Sequence, residues 1–154
     1  MIFVTLGTQD KPFTRLLKRI EEADLPEKIV VQAGYTDFSS AKMDVRKYIE
    51  KDEFSKLLEE ADLVICHAGV GTIMESLKKK KKIIVSPRLA KYGEHQNDHQ
   101  LEIADTFSKQ GYLLELKEED DLKEVYEQAK NFVPVVYETG GGSFIARLST
   151  YLDL

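Results

Sequence analysis

The residues best suited to chemistry stand close together: His67, Gly69, Gly71, Thr72 and Glu75, within the run Asp62-Leu63-Val64-Ile65-Cys66-His67-Ala68-Gly69-Val70-Gly71-Thr72-Ile73-Met74-Glu75. Leu63 to Cys66 is a short continuous apolar run, as expected of a parallel strand covered on both faces. Gly69 and Gly71 permit backbone angles and close approaches that other residues resist. Thr72 is read as the start of the next helix. Backbone N–H groups at a helix start are unpaired and partly positive, which suits a phosphate. The pattern by itself fits a phosphate cradle or merely a tight turn. It is a poor dinucleotide fingerprint, because Met74 stands where a third glycine belongs and Ser86-Pro87-Arg88 replaces the acid of the next strand end. A P-loop lysine is also missing.

Glu75 has two readings. Thr72-Ile73-Met74-Glu75 fits the S/T-x-x-E capping box, with Glu75 closing the helix start. The same carboxylate on a first helical turn could accept hydrogen bonds from a ribose diol. His67 at a strand end can donate to a phosphate oxygen, or add charge if protonated; a lone histidine can equally be structural. His95 and His99 are read at helical i, i+4 spacing, but they lack the H-E-x-x-H order and a third ligand, so no metal site is expected. Glu94 to Gln100 is unusually polar. It reads as a solvated helix start or as donors and acceptors aimed at sugar hydroxyls, a role that suits Gln and Asn. Lys78 to Lys82 reads as a solvated helix end, or more weakly as attraction to an anionic membrane surface. Glu118 to Asp121 reads as an acidic helix start.

These groups need a scaffold, and the periodicity supplies one. Strands are expected at residues 2–6, 28–33, 63–66, 82–86 and 112–116, with an ambiguous segment at 43–49. Pro12 suits the first position of a helix carrying Phe13, Leu16, Leu17 and Ile20. Phe54, Leu57, Leu58 and Ala61 mark another. Ile73 and Leu77 mark the helix after the central loop. A helix is expected over residues 94–110, ending at Gly111, and another around Leu122, Val125, Tyr126 and Ala129. Alternating strands and helices predict an α/β class: a single Rossmann-like domain with a mostly parallel sheet, helices on both faces and right-handed crossovers. Ligands of such sheets lie beyond the carboxyl ends of the strands, so Gly7-Thr8, His67 to Thr72 and Pro87 to Asn97 should face one crevice. Residues 1–139 are taken as this domain. Residues 140–154 are taken as a glycine-rich hinge and a C-terminal amphipathic helix with Phe144, Leu148, Tyr151 and Leu152. That helix either docks a partner or covers the domain's own sheet.

The totals agree. The 154 residues fit one domain, and 42% hydrophobic with 32% charged is globular. A net charge of −5 argues against general nucleic-acid affinity. The one cysteine, Cys66, cannot form an intrachain disulfide and suits a reducing compartment. With no signal-like or membrane-spanning stretch, the expected location is cytoplasmic, peripheral at the inner membrane face through a partner.

Three motifs together carry a resemblance: Phe3-Val4-Thr5-Leu6-Gly7-Thr8, His67 to Glu75, and Glu94-His95-Gln96-Asn97-Asp98-His99-Gln100. The sequence resembles the C-terminal, nucleotide-sugar-binding half of MurG-like GT-B glycosyltransferases, the glycosyltransferase family 28 C-terminal domain. Within that group it is most similar to the small subunits of two-component transferases. These include the PssE/CpsG-type polysaccharide proteins and the eukaryotic N-acetylglucosaminyltransferase subunit of the dolichol pathway. The resemblance implies a nucleotide and diphosphate site at Gly7, Thr8, His67, Gly69, Gly71, Thr72 and Glu75, with Glu75 on the ribose. It implies donor-sugar contacts at Glu94, Gln96, Asn97 and Gln100; many relatives carry Asn where Gln100 stands. It implies an inverting UDP-hexose transferase subunit needing no metal or other cofactor, whose leaving UDP is stabilised by helix dipoles and side chains. The catalytic base is not assigned. The acceptor, a lipid-diphosphate-linked sugar of exopolysaccharide or capsule synthesis, would be bound by a membrane-anchored partner in a heterodimer. The alternatives are a non-catalytic enhancer that stimulates a partner transferase and, disfavoured by length, a UDP-sugar epimerase.

Overall fold

The inner strands are short, mostly apolar runs whose alternate side chains enter two different helical layers. The computed structural model describes residues 1–137. In chain order the elements are β1 (Ile2–Thr5), α1 (Thr14–Ala23), β2 (Ile29–Gln32), β3 (Asp44–Arg46), α2 (Lys51–Glu60), β4 (Leu63–Cys66), α3 (Val70–Lys78), β5 (Ile83–Val85), a 3-10 turn (Ala90–Tyr92), α4 (His99–Lys109), β6 (Leu114–Glu115) and α5 (Leu122–Asn131). The strands form one sheet in the order β3-β2-β1-β4-β5-β6. Every pairing is parallel. The expected α/β architecture is therefore present, and the ambiguous segment at 43–49 contributes the edge strand β3.

Ile2, Val4, Val31, Ile65 and Ile84 face Leu16, Leu17 and Ile20 of α1 and Leu122, Val125 and Tyr126 of α5. Phe3, Val30, Val64, Ile83 and Val85 face Leu58 of α2, Ile73 and Leu77 of α3, and Ile103 and Phe107 of α4. Each such side chain, fully buried, contributes about 1.5–3 kcal/mol relative to exposure. Two cores on opposite sheet faces make a three-layer α/β/α sandwich. Every residue of β1, β2 and β4 is buried, which is why these strands read as unbroken apolar runs.

Three boundaries differ from expectation. Pro12 is not the first helical residue; α1 starts at Thr14 after Phe13, whose N–H donates to Thr36 Oγ1 at 2.9 Å. Helix α3 starts at Val70, not Thr72, with Gly69 as its N-cap. Helix α4 starts at His99, five residues after the expected Glu94. It closes as expected, with Gly111 at φ +81°.

The lysine run lies at the end of the sheet opposite the strand carboxyl ends, and it caps helices. Lys81 Nζ donates to the carbonyls of Glu59 and Ala61 beside the end of α2. Lys82 Nζ donates to the carbonyls of Ala129 and Lys130 at the end of α5. These carbonyls lie at helix C-termini, where a cation is favourable. Asp121 is the N-cap of α5, its carboxylate accepting from the Lys123 N–H, so the acidic run is a helix start. Among the described residues, no helix is long and apolar enough to cross a membrane. The expected hinge and terminal helix over residues 140–154 lie outside the described residues.

Candidate functional site

The strand order reverses between β1 and β4, and both strands end at the same crevice. Such a reversal parts the flanking loops and leaves room for a ligand beyond the strand ends. Gly7 follows β1 and His67 follows β4; the His67 N–H donates to the Thr5 carbonyl at 3.3 Å. The imidazole is packed against two glycines. A Cβ on Gly7 would stand 2.5 Å from His67 Nε2, and one on Gly69 would overlap the ring at Cε1. Gly7 also has φ +83°, a region costly for other residues. These two glycines are thus required by the histidine between them.

His67 is 7% exposed. Burial, then the charges of Arg88 and His95, lower its pKa to about 3. The ring is neutral, and the expected option of a protonated His67 adding charge to the site is set aside. Its Nδ1 lies 3.2 Å from Nε2 of Gln100, which is itself buried. Gln100 Oε1 accepts from the Ala68 N–H at 3.1 Å and the Arg88 N–H at 2.9 Å. Its amide therefore joins the loops after β4 and β5 from within. Gln100 does not face a sugar.

Helix α3 begins beside His67. Gly69 offers no side chain to cap it, and the first intrahelical backbone bond there is Ile73 N–H to the Gly69 carbonyl. The N–H groups of Val70, Gly71 and Thr72 form the open, partly positive start of the helix. Gly71 would meet nothing within 4 Å if it carried a Cβ, so packing does not explain its being glycine. Thr72 lies inside the helix, its carbonyl accepting from Ser76 Oγ at 2.8 Å. The capping box is therefore not formed: the N-cap is Gly69, and Glu75 sits in the second turn, half-buried, with no capping bond. That corrects the capping reading of Glu75.

Arg88, 1% exposed, braces the third loop. Its guanidinium donates to the carbonyls of Leu6 at 2.5 Å, Lys11 at 2.8 Å and Glu94 at 3.0 Å, and it lies over the Phe13 ring. Burial lowers its pKa to about 10, while Glu94 acts in the opposite direction. Glu94 is also buried. It accepts from Arg15 Nε at 3.0 Å, from the terminal Arg15 nitrogen at 2.9 Å and from the Leu89 N–H at 3.0 Å. Both its oxygens are occupied inside the fold, so Glu94 holds the loop and is not displayed to a sugar.

Gly7, His67 and Gly69 thus pack together at the strand ends, Thr8 lines a cleft with Gly7, and Gly71, Thr72 and Glu75 follow on the first turns of α3. Gln96 is exposed and lines a cleft of about 240 Å³ with Gln9, Asp10, Lys11 and His95. Asn97 Oδ1 accepts from the His99 N–H at 3.1 Å, and His95 Nδ1 accepts from the Asn97 N–H at 3.3 Å. His95 precedes α4, so the two histidines do not share the helical spacing read from the sequence. Among the described residues, no group of three or more His, Cys, Asp or Glu could hold a metal ion. Burial pushes the Cys66 thiol up to about 12, which makes it inert strand packing.

One part of the crevice escapes the sequence reading. A cleft of about 410 Å³ opens beside Gly7 and Thr8 and is lined by Gln32, Gly34, Tyr35, Lys47 and Tyr48. Tyr35 and Tyr48 are 63% and 77% exposed. Exposed aromatic faces beside a phosphate-type loop suit stacking on a planar ring. The signal in the sequence is an aromatic residue just past each of two strands.

Comparisons extend the description. The sequence model of the glycosyltransferase family 28 C-terminal domain matches residues 1–141. The chain is 32% identical over 128 residues to the UDP-N-acetylglucosamine transferase subunit ALG13 of Homo sapiens, covering 73% of this chain and 11% of that protein. It is 33% identical over 99 residues to the UDP-N-acetylglucosamine--N-acetylmuramyl-(pentapeptide) pyrophosphoryl-undecaprenol N-acetylglucosamine transferase of Clostridium kluyveri, covering 64% of this chain and 25% of that protein. The chain thus spans a quarter or less of either relative. An NMR solution structure of ALG13 superposes with TM-score 0.62 at 20% identity, covering 93% of this chain and 92% of that one. MurG of Acinetobacter baumannii superposes with TM-score 0.58 at 21% identity, covering 84% and 41%. Both structural likenesses concern the fold.

Proposed function

The chain belongs to the glycosyltransferase family 28 C-terminal domain family, and from that premise we propose that it is the donor-binding subunit of a heteromeric inverting glycosyltransferase. The observation that carries the reading is His67, neutral and packed between Gly7 and Gly69 beside the uncapped start of α3. Partly positive N–H groups and an imidazole N–H suit the diphosphate of a nucleotide sugar. Glu75 would accept from the ribose hydroxyls, and Tyr35 and Tyr48 would flank the base. Gln96 and Asn97 would lie toward the donor sugar. Charge building on the departing UDP would meet the helix start and the imidazole N–H, which accelerates transfer by stabilising the leaving group without a proton transfer.

The relatives' names support a UDP-hexose, UDP-N-acetylglucosamine first. The acceptor-binding wall of the cleft would come from a membrane-anchored partner, a reading supported by the name of ALG13 as a transferase subunit. The acceptor would be a lipid-diphosphate-linked sugar of exopolysaccharide or capsule synthesis, and this chain would work at the inner membrane face through that partner. Calorimetric titration with UDP, UDP-N-acetylglucosamine, UDP-glucose and UDP-galactose tests the donor, with and without the partner. Saturable binding of UDP and one sugar nucleotide is expected. No binding to any of them overturns the reading. Substantial turnover by the partner alone would instead make this chain an enhancer.

A further inference from the structure

Gln100 accepts with one atom and donates with the other, and the two roles are not interchangeable. Its Oε1 takes two backbone N–H groups, Ala68 at 3.1 Å and Arg88 at 2.9 Å. An amide NH2 cannot accept either bond, so the orientation of the side chain is fixed. The other atom, Nε2, is then a donor, and it lies 3.2 Å from His67 Nδ1. A nitrogen that faces a donor must be the bare one. The ring proton of neutral His67 is left on Nε2, the atom that lies against Gly7.

We infer that Gln100 is a positioning residue that locks His67 in its Nε2–H tautomer, so that the ring offers a hydrogen bond, and not a lone pair, to an anionic oxygen in the crevice. This rests on the diphosphate reading above for what the anion is, but not for the tautomer. Residues 33 apart in the chain make the lock. Gln100 reaches it from the first turn of α4, and its two N–H partners come from the loops after β4 and β5. The other tautomer would aim the Nε2 lone pair at a phosphate oxygen, and two acceptors facing each other repel.

Gln100→Glu is the test, because it is nearly isosteric. One carboxylate oxygen can keep the Ala68 and Arg88 N–H groups, while the other becomes an acceptor facing Nδ1. The burial of the ring and the Arg88 guanidinium beside it oppose an imidazolium. The proton is therefore expected to move to Nδ1. The experiment is nitrogen-15 NMR of the His67 ring at pH 8 in the whole chain, wild type and variant, followed by titration with UDP. The wild type is expected to show a protonated Nε2 and a bare Nδ1. The variant is expected to show a protonated Nδ1 and at least ten-fold weaker UDP binding. A protonated Nδ1 in the wild type overturns the inference, and that spectrum decides even if the variant does not fold. A ring proton moved to Nδ1 in the variant with unchanged UDP affinity overturns it as well. If the wild type binds no UDP, the diphosphate reading falls, while the ring spectra still decide the lock.

Discussion

Arg15 and Glu94 form a two-pronged ion pair, 3.0 and 2.9 Å, that ties α1 to the loop after β5. The Glu94 side chain is 4% exposed and also caps the Leu89 N–H. Removing one partner of a buried pair leaves the other charge uncompensated, which costs about 3–5 kcal/mol. Arg15→Ala, which strands the buried Glu94 carboxylate, is expected to lose stability in that range by urea denaturation, with Glu94→Ala losing less because the Arg15 side chain, 22% exposed, can gain water. A Glu94→Ala protein of unchanged stability but lost donor affinity would instead place Glu94 on the sugar.

The packing of Gly7 on His67 predicts a coupled pair. Gly7→Ala adds a Cβ 2.5 Å from His67 Nε2 at a residue with φ +83°. The left-handed backbone alone costs an alanine about 1–2 kcal/mol, and contacting residues couple by roughly 0.5–3 kcal/mol. Truncating the ring should relieve the overlap but not the backbone cost. In a double-mutant cycle by chemical denaturation, Gly7→Ala is expected to cost at least ~1 kcal/mol less in a His67→Ala background. Strict additivity would contradict the packing.

Much of this arrangement is legible in the sequence, and the exceptions have physical causes. Buried parallel strands leave unbroken apolar runs, so β1, β2, β4 and β5 stand out, and strand alternation puts three loops on one crevice. Thr72 and Glu75 match a capping box by spacing, yet Gly69 starts the helix; a glycine N-cap leaves no side-chain pattern to read. The polar stretch after Gly93 looks like a helix start because acids and amides favour one. Its conformation is set instead by Arg15 of the distant α1 and by Arg88, which ties the same loop to the Leu6 and Lys11 carbonyls. Gln100 reads toward the sugar in sequence and turns inward in the fold, because an amide's partners are chosen by tertiary packing and not by neighbours in the chain. Tyr35 and Tyr48 become part of the crevice only once β2 and β3 are placed beside β1.

The neutral His67 gives the stability a defined acid limb. Its pKa is 6.5 when unperturbed, as in the unfolded chain, and about 3 when folded. Between those values the unfolded chain binds a proton that the folded chain does not. The contribution is therefore complete above pH 6.5 and is lost as pH falls toward 3, by up to about 1.4 kcal/mol per pH unit. His95, lowered mainly by burial, adds in the same direction. Urea denaturation between about pH 6.5 and 5 avoids most carboxylate titration. The wild type is expected to lose ~2 kcal/mol over that interval from His67, and His67→Gln to show a correspondingly flatter profile. Equal slopes would mean that the folded ring titrates normally.

Gly71 separates ligand binding from folding. It occupies the first turn of α3 with open space where a Cβ would go. Alanine is favoured over glycine in helices by up to about 1 kcal/mol. Gly71→Ala is thus expected to raise the melting temperature slightly. The added methyl would occupy the approach to the helix start, and UDP affinity is expected to fall at least ten-fold by calorimetry. Unchanged affinity would move the phosphate away from this turn.

Glu75 gives the converse test. Its helix is capped by the Gly69 backbone, so the carboxylate is not needed to start α3. Glu75→Ala is expected to change stability by no more than about 0.5 kcal/mol, as at surface positions without a special role. Hydrogen bonds to a charged group contribute about 1.5–3 kcal/mol. Its loss should weaken UDP roughly 10- to 100-fold, the same energy expressed as affinity. The comparison ligand is 2′,3′-dideoxy-UDP, which keeps the base and diphosphate but has no diol. It is expected to bind the wild type and Glu75→Ala alike, and about as weakly as UDP binds the variant. If Glu75→Ala weakened both nucleotides equally, the carboxylate would act through the helix and not through the ribose, and the orientation of the nucleotide along α3 would have to be reversed.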